Sequence, residues 1–170
     1  MAEIILQTPR LRLVTWEPDD AGLIQALHSS IETTRYLSGA APWSRERAQE
    51  RLQNWFMEAE RDGTTKYKLL ARADGAFIGR AGFSLLGDAY ELGYSLRHEA
   101  WGKGYATEIA GALANWFFEK GFSDRFIAFT HPDNAASQRV LTKIGMLPCA
   151  PVIIDSILCP TFEMRRPLSA

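Results

Sequence analysis

The sequence predicts an α/β fold, and three observations carry that reading. Several short runs alternate apolar with polar residues, as half-buried strands do. The period changes to 3.6 over a long run from Tyr105 to Lys120. The chain between the alternating runs on either side of it is long enough for a helical crossover joining two parallel strands.

The 170 residues suit one domain spanning the whole chain, large enough to bury about two-thirds of its unfolded surface without a covalent staple. A composition of 46% hydrophobic and 23% charged residues excludes the disordered and fibrous classes. The net charge of -1 gives no electrostatic reason for a nucleic-acid or membrane partner, so neither is expected. Cys149 and Cys159 are too few for a disulfide framework and lack metal-site spacing; they read as reduced, and no metal is expected. The opening MAEIILQTPRLRL lacks the basic and apolar segments of a secretory signal, and no apolar run reaches the roughly 18 residues of a membrane span. A cytoplasmic location is the expectation.

In chain order, Arg10 to Trp16 alternates as a first strand. Pro18, Asp19 and Asp20 suit a helix start, with Ile24, Leu27 and Ile31 following on one face. Ser44 is a plausible N-cap for a second helix that carries Ala48, Leu52, Trp55 and Phe56 inward until Gly63. Tyr67 to Arg72 and Phe77 to Leu86 read as a hairpin turned at Ala73-Asp74-Gly75, and Tyr90 to Leu96 as a fourth strand. The helix from Tyr105 places Ala106, Ile109, Ala110, Leu113 and Phe117 on one face and stops at Lys120-Gly121. Arg125 to Thr130 is a fifth strand. Asp133 or Asn134 caps a further helix in which Ser137, Val140, Leu141 and Ile144 share a face, so Ser137 points inward. Val152 to Ile157 and Thr161 to Arg165 read as the last strands, with Pro160 in their connection.

The fourth strand runs straight into Trp101-Gly102-Lys103-Gly104-Tyr105-Ala106-Thr107, and the helix follows. A helix N-terminus offers unpaired N–H groups and the positive end of the helix dipole, and glycines let a phosphate approach the backbone. The order of lysine and hydroxyl residues is not that of a Walker loop. Thr107 occupies the third glycine position of a dinucleotide fingerprint, which argues against that as well.

The stretch "WGKGYATE" resembles the coenzyme A pyrophosphate signature of the GNAT acyltransferases, Q/R-x-x-G-x-G/A, with Trp101 at the first position in place of Gln or Arg. "DNAASQRVLTKIGM" is similar to the N-x-x-S-x-R-V-L-x-K-x-G-F of the RimJ/RimL branch, which acetylates ribosomal-protein N-termini, with Met146 replacing Phe. "TPRLRL", "PWSRERAQERL" and "TFEMRR" resemble that branch too, so the likeness spans nearly the whole chain. It implies a GNAT fold: a mixed, mostly antiparallel sheet of about seven strands with a central parallel pair, flanked by about four helices. It implies acetyl-CoA as co-substrate, with the diphosphate on the amides of Gly102, Lys103, Gly104, Tyr105, Ala106 and Thr107, and with Trp101 in the binding turn. Leu96 and Arg97 would pair with the pantetheine arm like an extra strand, Asn134 would hydrogen-bond it, and Ser137 would sit near the thioester sulfur. A tyrosine general acid common in GNAT enzymes is excluded, because Leu141 stands at that position.

Ordinary pKa values say which step of direct acyl transfer needs help. A thiol near ~8.5 is a tolerable leaving group, so Ser137 would offer modest assistance. An α-amine near ~7.7 to 8.0 is already partly neutral, whereas a lysine amine near ~10.4 is about three decades short. Glu91 is the first candidate to take the amine's proton, directly or through water; a salt-bridged strand glutamate is the other reading of it. Glu108 sits in a helix's first turn, where the dipole favours a carboxylate in any case. The implied acceptor is a small-molecule amine or a protein N-terminus, and the oligomeric state a monomer or homodimer. The alternative function is a non-catalytic acyl-CoA-binding module of the same fold.

Overall fold

The computed structural model describes residues 1–37 and 41–168. Among them, eight strands form one sheet in the order β1-β2-β3-β4-β5-β6-β8-β7. The strands are β1 (Ile4–Gln7), β2 (Leu11–Val14), β3 (Lys66–Ala71), β4 (Phe77–Leu86), β5 (Ala89–Leu96), β6 (Arg125–Phe129), β7 (Leu147–Ile154) and β8 (Ile157–Arg165). The helices are α1 (Ala21–Leu27), α2 (Ile31–Thr34), α3 (Arg45–Asp62), α4 (Tyr105–Lys120) and α5 (Ala135–Lys143). Every pairing is antiparallel except that of β5 with β6, the pair joined through α4.

Strand alternation divides the side chains between two cores. Leu69, Ala81, Phe83, Leu92 and Phe126 pack with Ile109, Leu113 and Phe117 of α4 on one face of the sheet. On the other face, Trp16, Ile24, Trp43, Ala48, Leu52 and Trp55 join α1 and α3 in a second core, with Trp16 stacked on Trp55 at 5.2 Å. Ser44 caps α3, its side chain accepting from the Arg47 amide at 3.1 Å.

Three details differ from the sequence reading. An eighth strand, Ile4–Gln7, pairs with β2 at the sheet edge. The first helix ends at Leu27, and Thr33 and Thr34 turn their hydroxyls back to the Ser30 carbonyl in a separate short turn of helix. The last hairpin turns at Asp155-Ser156, both at positive φ (49° and 66°), and Pro160 lies inside β8. Proline is tolerated there because the register slips between Cys149 and Val152, so that Ala150 and Pro151 oppose it in a bulge.

His28 is fully buried and stacks on Trp43 at 3.7 Å. Its Nδ1 meets the Ile24 carbonyl at 2.8 Å, which makes that nitrogen the protonated one. Burial, reinforced by the positive charge of Arg80, lowers its pKa from 6.5 to about 3. The unfolded ring titrates near its ordinary value, so its contribution to stability is complete above about pH 6.5 and lost as the pH falls toward 3. That loss approaches about 1.4 kcal/mol per pH unit. His28→Gln is expected to flatten the pH dependence of unfolding free energy, measured by urea denaturation between about pH 6 and pH 4. Parallel slopes for the two proteins would exclude His28 as the titrating group.

Candidate active site

The parallel strands β5 and β6 share one registered pair, Glu91 with Ile127. Beyond it, Leu92 to Leu96 and Ala128 to Thr130 line opposite walls of a cleft of about 1230 Å³. The first turns of α4 and α5 both open onto this cleft, which also reaches the α3 side of the sheet.

Gly102 and Gly104 stand at its mouth with φ of 75° and 80°, left-handed values that suit glycine. Gly104 is the N-cap of α4, and no side chain caps that end. The first-turn amides therefore remain available to an outside acceptor, and a β-carbon at Gly102 would meet nothing within 4 Å. Trp101 ties the turn back to β5, its indole N–H donating to the Leu96 carbonyl at 3.0 Å.

The turn is braced from behind. Glu108 accepts from Thr8 Oγ1 at 2.5 Å, from the Arg10 amide at 3.0 Å and from Arg10 Nε at 2.7 Å. Arg10 in turn donates through Nη1 to the Lys103 carbonyl at 2.8 Å and lies over the Tyr105 ring at 4.5 Å. Burial alone would raise the Glu108 pKa; the hydrogen bonds from Thr8 and Arg10 outweigh it and hold the carboxyl below its ordinary value. Glu108 is thus a clamp between the N-terminal segment and the glycine turn.

Deeper in the cleft, Ser137 Oγ lies 2.8 Å from the Tyr94 hydroxyl. Burial pushes the Tyr94 pKa up to about 12, against the smaller opposing effect of the Ser137 hydrogen bond, so the phenol keeps its proton at neutral pH. Asn134 caps α5, its side chain accepting from the Ser137 amide at 3.2 Å, and this fixes the serine at the start of the helix.

On the α3 side, Lys66 Nζ pairs with Glu91 Oε2 at 2.9 Å and also donates to the Glu91 carbonyl at 3.2 Å. The lysine stem crosses Gly93, where a β-carbon would lie 2.7 Å from Lys66 Cε and 2.9 Å from Glu91 Oε1. A side chain at that position would push the pair apart. Glu58 Oε2 accepts from Thr65 Oγ1 at 2.7 Å and from Ser84 Oγ at 3.0 Å.

Most residues singled out from sequence meet in this cleft: Glu91, Leu96, Trp101, Gly102, Gly104, Tyr105, Ala106, Thr107, Asn134 and Ser137 all line it. Lys103 and Arg97 do not. Lys103 contributes its carbonyl to Arg10, while the Arg97 amide donates to Ile78 of β4 and its side chain pairs with Glu99 at 3.6 Å. Asp155 sits in the β7–β8 turn away from the cleft. Sequence reasoning missed Tyr94, Lys66 and Arg80. Tyr94 alternates with Leu92 and Leu96 and so reads as a core residue, and the side-chain partners of the two cations, Glu91 for Lys66 and His28 for Arg80, lie far from them along the chain.

Comparison with known proteins identifies the family. Residues 10–147 match the family model of an acetyltransferase (GNAT) domain. YoaA of Bacillus subtilis strain 168, an uncharacterized N-acetyltransferase, is 31% identical over 144 residues, covering 83% of this chain and 81% of that protein. The chain belongs to the GNAT acetyltransferase family, and it is an acyltransferase. Its fold is shared by the acetyltransferase from Agrobacterium tumefaciens, with a TM-score of 0.84 at 21% identity, covering 96% of this chain and 95% of that one. It is shared equally by the ribosomal-protein α-N-acetyltransferase RimL in complex with coenzyme A, with a TM-score of 0.82 at 17% identity, covering 96% and 98%. Among the described residues, no helix is long and apolar enough to cross a membrane.

Removing the charge of the clamp should loosen the turn. Glu108→Gln is expected to lower the unfolding free energy by about 1 to 3 kcal/mol, the range for charge-assisted hydrogen bonds, with a matching fall in Tm. An unchanged Tm would show that the clamp contributes nothing to stability.

Proposed function

We propose that this chain transfers an acetyl group from acetyl-CoA to a primary amine by direct attack within a ternary complex. The acceptor is a protein N-terminal α-amine or a small-molecule amine. The observation that carries this reading is one cleft holding both an uncapped glycine turn at a helix N-terminus and, farther in, a hydrogen-bonded Ser137–Tyr94 pair. RimL, a structural neighbour, binds coenzyme A, and the microcin self-immunity acetyltransferase MccE was solved with acetyl-CoA and AMP. Both support the choice of co-substrate.

The turn fits a diphosphate: open space at Gly102, left-handed glycines and uncapped first-turn amides suit an anion held by the main chain. The amides of residues 102–107 would hold it. In an antiparallel ladder successive residues alternate their main-chain groups between neighbours. Because Arg97 spends its amide on β4, Leu96 and Tyr94 face the β6 side, where an extended thioester arm would pair. Asn134 keeps its side-chain N–H groups for that arm while its oxygen caps α5. When bound, acetyl-CoA supplies the activated acyl group.

The chain's own residues then hold and move protons. With Tyr94 donating to Ser137 Oγ, the serine O–H is free to donate toward the sulfur, and the two hydroxyls polarise one another. Glu91 takes the amine's proton, directly or through water; Lys66 holds one of its oxygens and orients the other. An ion-paired carboxylate suffices for an α-amine, which is partly neutral already.

Ser137→Ala is expected to lower kcat for thiol release by about tenfold to a hundredfold, the value of one charge-assisted hydrogen bond, with acetyl-CoA affinity nearly unchanged. An unaltered rate would assign Ser137 to packing. Gly104→Val should instead weaken acetyl-CoA binding by calorimetry, because a branched residue is strained at φ of 80° and stands where the diphosphate approaches. Unchanged affinity would contradict the proposed diphosphate site, and absence of acetyl-CoA binding to the unaltered protein would end the proposal.

A further inference from the structure

On the α3 wall of the cleft the charges do not cancel. Lys66 and Glu91 neutralise each other, and Glu58 is engaged by two hydroxyls. Arg51 and Arg80 line the same wall, and neither enters an ion pair among the described residues. Arg80 Nε makes a long contact of 3.5 Å to His28 Nε2, the unprotonated nitrogen of a neutral ring. Its guanidinium lies over Trp55 at 5.6 Å, and that of Arg51 lies over Trp43 at 5.9 Å. Burial pushes the Arg80 pKa down to about 10, and the charge of Arg51 pushes the same way against Glu91 and Glu58. Two guanidiniums are therefore held on an apolar, aromatic wall with no counter-ion of their own. Such an arrangement costs free energy that a bound anion would recover.

The strand register locates this wall relative to the amine end. Arg80 stands opposite Ser95, while Glu91, opposite Ser84, turns its carboxylate back along β5 to the level of Gly93, so the guanidinium and carboxylate levels lie about two residues apart, about 7 Å at ~3.3 Å per residue. The arginine side chain spans part of that distance.

Resting on the amine-transfer reading above, we infer that the acceptor carries an oxyanion, a carboxylate or a phosphate, several bonds from its amino group. The oxyanion docks on Arg51 and Arg80 while the amine sits at the Glu91 end of the cleft. Trp43 and Trp55 flank the chain between them. Arginine suits this role because its planar fork meets carboxylate and phosphate oxygens two at a time.

The test compares aminohexanoate, aminohexyl phosphate and neutral aminohexanamide as acceptors, with thiol release from acetyl-CoA as the readout. At least one anionic acceptor is expected to exceed the amide in kcat/KM by about tenfold or more, an advantage that shrinks as salt is added. The better of the two identifies the oxyanion. Arg51→Gln and Arg80→Gln should each reduce the anionic-to-neutral ratio, chiefly through KM. Calorimetry with aminohexanoate on the CoA-loaded protein should show the same weakening, while acetyl-CoA binding is retained. Equal kcat/KM for charged and neutral acceptors would overturn this inference and leave amine transfer standing. No thiol release with any amine would overturn the amine-transfer reading, and this inference with it.

Discussion

The parting of β5 from β6 is the constraint on which the rest depends. A parallel pair with a fuller ladder would leave no room between its strands; here the single registered pair Glu91–Ile127 closes one end, and the walls separate beyond it. The crossover through α4 then sets that helix's positive N-terminus, uncapped and glycine-lined, at the open end. The opening, the uncapped helix end and the polar residues between them are thus consequences of one topological fact. Glu91 belongs to both parts, since it is the residue at which the ladder stops and a carboxylate that lines the cleft.

Keeping such an opening requires support from outside it. The turn that carries Gly102 and Gly104 is tied to β5 through the Trp101 indole and to the N-terminal segment through Glu108 and Arg10. On the other face, the second core holds α1 and α3 against the sheet and supplies the aromatic and cationic wall of the cleft. The two cores serve two halves of one cleft, the glycine turn and α5 on one side and the α3 wall on the other.

Much of this was legible in the sequence, for physical reasons that differ from element to element. The β5–turn–α4 unit was legible because its period changes from two to 3.6 across a pair of glycines, and Ser137 because its spacing from Val140, Leu141 and Ile144 fixes its face. The strand Ile4–Gln7 was missed because "IILQ" has no alternation and is identified only by its pairing with β2. The final turn was misplaced because Asp155 and Ser156 adopt positive φ without a glycine, while Pro160 is accommodated by a bulge that only register reveals. Contacts that shape the site across long stretches of chain, Tyr94 with Ser137 and Lys66 with Glu91, leave no local trace. His28 shows the same limit, since nothing in its neighbours along the chain announces full burial against Trp43.

The account stands on the main-chain amides at the entrance to α4. The most direct measurement is amide NMR during titration with coenzyme A, after backbone assignment. Large shifts concentrated at residues 102–107, with smaller ones along Tyr94 to Leu96, are the result this account predicts. Saturable binding that leaves those amides in place and moves another region of the chain would contradict it.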